Sequence, residues 1–147
     1  MMVRDGVVED LPAVVEMARE FWKETMYQEE FDGDYVEFMA SMAIEHGLLA
    51  ILEIDGKVEG FTAGLKSPLL ACADVLGGTE IAYWINPEAR RGRNGIALIK
   101  HIEGMAKAQG VKYWNMIAME SSMPETVARI YGALGYEKSE TSYTRIL

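Results

Sequence analysis

The chain has 147 residues, half of them hydrophobic, which suits one compact domain with a full core and argues against disorder. Its 14 lysines and arginines face 23 acidic residues, and the net charge of −9 argues against a nucleic-acid partner. No apolar run approaches the roughly 20 residues that cross a membrane. The single cysteine, Cys72, excludes an internal disulfide and fits the cytoplasm. We therefore expect one domain over residues 1–147.

The first half of the chain predicts a strand, two helices and a hairpin. "MMVRD" is a short strand, and helical spacing of apolar residues begins at Leu11, with Asp10 as the N-cap. A second helix is predicted from Asp34 to near Gly47. The runs "LLAILEI" and "VEGFTAGL" are separated by Asp55-Gly56-Lys57, and the Asp-Gly pair predicts a β-hairpin. Residues 67–78 are expected to form a loop.

The second half alternates strands and helices. "TEIAYWIN" is a predicted strand stopped by Pro87, and "VKYWNMIAM" is another, with a helix from near Gly95 to Gly110 between them. A short helix capped by Ser122 and Glu125 ends at Gly135. The last segment, "YEKSETSYTRIL", alternates as a strand. Strand–helix–strand units need crossovers, so the order predicts a mixed α/β sheet with a parallel pair and helices on both faces.

An arginine-rich loop precedes the third predicted helix. A helix N-terminus offers unpaired N–H groups and a partial positive charge, which together favour phosphate. Glycines at 92 and 95 let the backbone approach a ligand, and the loop's arginines donate charge-assisted hydrogen bonds. A diphosphate is therefore a natural ligand, although a solvated basic turn explains the composition equally well. The arginines concerned are Arg90, Arg91 and Arg93.

Three segments resemble the GNAT acetyltransferase superfamily. "INPEARRGRNGIALI" is similar to its R/Q-x-x-G-x-G/A motif, with Arg90 first, Gly95 last and Arg93 in place of the middle glycine. "ETVARIYGALGY" resembles the family's N-x-x-A-x-x-L/F-Y-x-x-x-G-F/Y segment, with Glu125 in place of asparagine. "VVEDLPAVVEMA" resembles its opening helix. Short members with similar loops look phage-encoded. The resemblance implies a GNAT-like, mostly antiparallel sheet with a central splayed parallel pair.

The resemblance also implies acetyl-CoA as the cosubstrate and no metal. The coenzyme diphosphate would lie on the arginine loop, and the backbone of strand 79–86 would pair with the pantetheine amides where the parallel strands separate. Neither histidine, His46 or His101, has metal-ligand spacing. The residues implied for cofactor binding are Trp84, Ile85, Arg90, Arg91, Gly92, Arg93, Asn94 and Gly95.

Two residues are implied in catalysis. Glu80 matches a glutamate often found on this strand and would remove the amine proton, directly or through water. Alternatively, Glu80 pairs with a lysine on the strand face. Tyr131 matches the family's general-acid tyrosine and would protonate the leaving thiolate, since a phenol keeps its proton near neutral pH. Alternatively, Tyr131 packs in the core with Val127 and Leu134.

The segment between the first two helices is the expected acceptor wall. Aromatic and acidic side chains together suit a cationic amine, although a solvated loop has a similar composition. The residues are Trp22, Tyr27, Glu29, Glu30 and Phe31.

The function expected from the resemblance is N-acetylation of an amine on a small molecule, peptide or protein. The alternative is a non-catalytic acyl-CoA-binding or interaction module on the same fold. The acceptor and the oligomeric state stay open, with a homodimer among the options.

Overall fold

The computed structural model describes all 147 residues, which form two compact units, Met1–Ile117 and Ala118–Leu147. The expectation of one domain over residues 1–147 stays a prediction. The first unit contains five strands and three helices, and the second contains one helix. The elements are β1 Met2–Asp5, α1 Leu11–Lys23, α2 Gly33–Glu45, β2 Leu49–Ile54, β3 Lys57–Leu69, β4 Cys72–Ile85, α3 Asn94–Ala108, β5 Val111–Asn115 and α4 Pro124–Ala133.

The sheet confirms the expected α/β class. Its strands lie in the order β1-β2-β3-β4-β5, with three antiparallel pairs and one parallel pair, β4 and β5. The parallel pair lies at one end of this sheet and not at its centre, because β5 is its last strand.

Helices cover both faces of the sheet, as predicted. Leu49 and Ile51 of β2 pack with α1 and α2, whereas the alternate residues Ala50 and Leu52 pack with α3. This alternation follows from the two-residue period of a strand. All four side chains are at most 1% exposed, so β2 is a central buried strand between two hydrophobic clusters.

The predicted hairpin turn is confirmed at Asp55-Gly56, which joins β2 to β3. Both residues have positive φ angles, 52° and 76°, which a two-residue type I′ hairpin turn requires.

The expected loop over residues 67–78 is wrong, because this stretch belongs to the hairpin of β3 and β4. Gly78 lies within β4, and its lack of a side chain has a packing reason. A Cβ at Gly78 would come within 2.7 Å of the Trp114 ring, and a Cβ at Gly64 on the neighbouring strand would overlap the same ring. These two glycines make room for an indole, so they do not mark a turn.

Asp10 occupies the N-cap position of α1, as predicted, whereas the predicted cap of α4 is wrong. The side chain of Asp10 makes no cap hydrogen bond to α1, because it is engaged by Arg4 at 2.7 and 2.8 Å and by the Val7 N–H. This pairing with Arg4 holds the pKa of Asp10 below its usual range. Helix α4 follows Met123 at a φ of 45°, with no side-chain cap from Ser122.

The last two predicted strands also differ from the structure. Strand β5 ends at Asn115, four residues before the predicted Met119. Residues 136–147 form no strand, and residues 137–147 are exposed throughout. Alternating residues do not form a strand unless a neighbouring strand supplies hydrogen-bond partners.

Candidate active site

The site is built where β4 and β5 separate. Parallel pairing begins at Leu76 with Val111 and ends at Thr79 with Asn115, although β4 continues to Ile85. The last six residues of β4 therefore have a paired edge toward β3 and an unpaired edge toward β5. An unpaired strand edge leaves backbone N–H and C=O groups for a ligand to complete.

A β-bulge coincides with this separation. Gly64 of β3 pairs with Glu80 and Ala63 pairs with Ala82, so Ile81 is an extra residue in β4. Ile81 and its neighbour Ala82 both pack against the α1–α2 cluster, whereas Tyr83 packs against the α3 cluster. The bulge thus changes the facing pattern and brings Glu80 and Tyr83 to the same side of the sheet. Bulges concentrate beside active sites because they re-aim side chains.

Glu80 is a buried carboxyl at the point of separation. Its side chain is 4% exposed, and its Oε2 accepts the Ile117 N–H at 3.0 Å. Burial raises the pKa of Glu80 to about 7, against the smaller lowering effect of that hydrogen bond. No lysine or arginine forms an ion pair with it, so the alternative of a strand-face glutamate paired with lysine does not describe this residue.

The arginine loop connects the end of β4 to α3. After a short 3-10 turn at Pro87–Ala89, Gly92 adopts a left-handed φ of 59°, and α3 begins at Asn94. Backbone N–H groups at the helix mouth, including those of Gly92 and Gly95, have no acceptor in the protein. Arg91 and Arg93 are exposed and form no ion pair. The loop therefore has free donors and free positive charge for an anion.

The departure from the family motif at Arg93 is compatible with this geometry. Arg93 has a φ of −103°, which any residue adopts. The left-handed position is Gly92, one residue earlier. The glycine that the backbone requires is therefore present, and arginine at 93 adds a cation without strain.

Arg90 differs from the other two arginines because it is held in place. Its Nε donates to the Ile85 carbonyl at 2.7 Å, and its guanidinium lies 4.5 Å from the centre of the Trp84 ring. The Asn94 side chain likewise donates to the Ala89 carbonyl at 2.9 Å. The hydrogen bonds of these two side chains hold the loop in place. The Ile85 carbonyl already accepts one of them, from Arg90.

Gly95 is constrained by a neighbouring side chain. A Cβ built on Gly95 would lie 2.5 Å from the Tyr83 hydroxyl. Packing against Tyr83 therefore explains the absence of a side chain at 95, and the expected approach of a ligand to the Gly95 backbone remains a prediction.

The expected acceptor residues form a small aromatic cluster beside α1. The rings of Trp22 and Tyr27 stack at 5.4 Å, and the indole N–H donates to the Glu29 carbonyl at 2.8 Å. Phe31 packs against the α1–α2 core and lies under the Arg19 guanidinium at 4.6 Å. The Glu29 and Glu30 side chains are exposed. Phe21, next to Trp22, packs edge-on against Trp84 of β4 at 6.5 Å.

Tyr131 lies in the second unit, on α4. It is buried, and its ring centre is 5.5 Å from that of Tyr136. Its role as a general acid remains a prediction from the motif.

No protein-family model and no curated protein matches the chain, but many solved structures do. A ribosomal-protein-alanine N-acetyltransferase from Brucella melitensis biovar Abortus 2308 has a TM-score of 0.76 at 14% identity, with 100% of both chains covered. A predicted acetyltransferase with acetyl-CoA from Clostridium acetobutylicum has a TM-score of 0.74 at 14% sequence identity, with 99% of this chain and 95% of that chain covered. A transcriptional regulator from Bacillus halodurans C-125 has a TM-score of 0.78 at 17% sequence identity, with 99% of both chains covered.

These likenesses establish the fold, which is that of the GNAT acetyltransferases, as the motif resemblance implied. No helix is long and apolar enough to span a bilayer.

Sequence reasoning missed two participants in the site. The Ile117 N–H binds Glu80 through the backbone, and no sequence pattern reports such a contact. Tyr83 is the second missed residue. Because Glu80 and Tyr83 are three residues apart, a regular strand would place them on opposite faces of the sheet. The bulge at Ile81 places them on the same face.

Proposed function

We propose that the protein is an acetyl-CoA-dependent N-acetyltransferase that acetylates a primary amine of a small molecule, peptide or protein. The observation that carries this proposal is Glu80, a buried carboxyl with a pKa of about 7, located where β4 and β5 separate. Three features lie in sequence along β4 and the loop that follows it: Glu80, the open edge of β4 and the arginine loop.

The residues present fit acetyl-CoA. The free N–H groups at the mouth of α3 and the unpaired Arg91 and Arg93 suit the diphosphate. The open edge of β4 supplies backbone partners for the pantetheine amides near Trp84, while the Ile85 carbonyl is already bonded to Arg90. When bound, acetyl-CoA supplies an activated acyl group as a thioester.

Glu80 has the properties of a general base for this reaction. An alkyl amine with a pKa of about 10.4 is protonated at pH 7, and removing that proton costs roughly 4–5 kcal/mol. A carboxylate with an ordinary pKa is a poor acceptor for it, whereas a base whose pKa lies near the working pH is well matched. Burial brings Glu80 into that range. Its hydrogen bond from Ile117 fixes Oε2 and leaves Oε1 for a water or the amine.

The remaining proton transfer is assigned to Tyr131 on the motif alone. A phenol keeps its proton near neutral pH and can donate it to a departing thiolate.

A binding module without turnover is the second candidate. One matching structure, the protein from Bacillus halodurans C-125, is described as a transcriptional regulator, so this fold is not restricted to proteins described as acetyltransferases.

The proposal is tested in two stages. Native mass spectrometry of the purified protein should detect bound coenzyme A after its addition. A library of primary amines should then yield an acetylated product with acetyl-CoA, and Glu80→Gln should abolish most of that product. Glu16→Gln, on the exposed surface of α1, is the matched control and should leave turnover unchanged. Coenzyme binding without acetylation of any amine would favour the binding module.

A further inference from the structure

The Tyr83 side chain is close enough to both charged groups of the candidate site, Glu80 and Arg90, to be affected by each. Its ring packs against the cluster formed by Ile85, Leu98 and Ile102 on the α3 side of the sheet. The charges of Glu80 and Arg90 both act on its phenol. Tyr83 is therefore close to both the candidate base and the arginine loop.

The Tyr83 hydroxyl reaches the mouth of α3. It lies 2.5 Å from the position of a Cβ on Gly95, in the first turn of the helix. The hydroxyl makes no hydrogen bond to a protein atom: the Glu80 Oε2 accepts from Ile117, and the Ile85 carbonyl accepts from Arg90. Because Tyr83 is partly buried, water reaches this hydroxyl only in part.

This hydroxyl is a donor at physiological pH. Burial, reinforced by the negative charge of Glu80, raises the pKa of Tyr83 to about 12, so the phenol retains its proton. The N–H groups of Gly92 and Gly95, at the same helix mouth, also have no acceptor in the protein. A phenol O–H beside unpaired helix N–H groups suits an oxyanion, which can accept from both.

We propose that Tyr83 is a positioning residue that donates its hydroxyl hydrogen bond to a diphosphate oxygen of the coenzyme held at the mouth of α3. The inference rests on the proposed function, because the ligand is the coenzyme assigned there. It adds a side-chain donor from β4 to a site otherwise composed of loop backbone and arginines. It also gives the bulge at Ile81 a second role, since the bulge turns Tyr83 toward α3.

The test is a calorimetric titration of Tyr83→Phe with two ligands, coenzyme A and pantetheine. Pantetheine has the same amide arm but no diphosphate. A charge-assisted hydrogen bond predicts that Tyr83→Phe binds coenzyme A about tenfold or more weakly than wild type, with pantetheine affinity unchanged. Tyr35→Phe, at an exposed position on α2, is the control and should bind both ligands as wild type does.

Equal coenzyme A affinity in Tyr83→Phe and wild type would overturn the proposal and leave the tyrosine as packing. An equal loss for both ligands would also overturn it, because a general disturbance of the site does not discriminate between them. Failure of the wild type to bind coenzyme A would instead contradict the proposed function, so the two failures are distinguishable.

Discussion

The Tyr83 hydroxyl occupies the space that a side chain at Gly95 would need, with 2.5 Å between the oxygen and a Cβ built there. The next nearest atoms are the Ile85 Cδ1 at 3.7 Å and the Tyr83 Cζ at 3.8 Å, both at ordinary contact distance. One oxygen atom therefore decides whether α3 tolerates a side chain at position 95.

We expect the effect of Gly95→Ala on stability to change sign with residue 83. In the wild type the added methyl meets the hydroxyl, and overpacking of this kind costs about 1–3 kcal/mol. In a Tyr83→Phe background the space is free, and alanine should gain up to about 1 kcal/mol over glycine. Urea unfolding of the four proteins in this cycle measures the coupling. Gly104→Ala in the same helix, where a Cβ meets nothing within 4 Å, should be mildly stabilising in both backgrounds.

Arg91→Glu should weaken coenzyme A binding at least tenfold, because it replaces a free cation by an anion beside the diphosphate. Lys100→Glu makes the same change in net charge on the exposed face of α3 and is the control. Isothermal titration of both variants at two salt concentrations measures the difference. Identical affinities in the two variants would mean that the arginine loop is a solvated turn.

Glu80 should make the protein less stable as the pH rises. Its pKa is about 7 in the folded protein, against 4.5 for an ordinary solvated glutamate, so the folded state binds more protons between these values. The stabilising contribution is complete below pH 4.5 and is lost as the pH rises through 7, by about 3 kcal/mol. Glu80→Gln should lack this loss, so its stability advantage over wild type should grow from pH 5 to pH 8. Parallel unfolding curves for the two proteins across that range would contradict the shifted pKa.

The same group predicts the pH dependence of turnover. Since the carboxylate is the active form of the base, kcat should rise with pH and level off above about 7. A kcat that does not change between pH 5.5 and 8.5 would argue against Glu80 as the base.

Tyr131→Phe separates an enzyme from a binding module. If the phenol protonates the leaving thiolate, kcat should fall about 10²–10⁴-fold while acetyl-CoA affinity stays near wild type. Thiol release under saturating acetyl-CoA, with an acceptor found in the amine screen, is the measurement. Tyr143→Phe, at an exposed position, should match wild type. Full activity in Tyr131→Phe would remove this residue from the mechanism.

Elements with strong local signals were predictable from the sequence. The apolar spacing of α1 and α3, the Asp55-Gly56 turn and the glycines that end helices were all sufficient. Gly110 and Gly135 have φ angles of 82° and 90°, as helix-ending glycines commonly do.

Features that depend on contacts between distant segments were not predictable in this way. Glycine is required at position 78 by the Trp114 ring, which would clash with a Cβ there. Because Trp114 lies 36 positions away in the sequence, the residues around Gly78 do not reveal this contact. Asp10 had the sequence position of a cap, but Arg4 engages its carboxylate. The pKa of Glu80 depends on burial between elements, and no local pattern encodes it.

The extra residue at Ile81 makes the length of β4 as important as its composition. A one-residue shift in a strand moves every following side chain to the opposite face. Deleting Ile81 would only remove the bulge, because Glu80 and Tyr83 would then be two positions apart on a regular strand and would keep the same face. Inserting one residue between Ala82 and Tyr83 would instead turn Tyr83 to the face opposite Glu80, although neither residue would be altered.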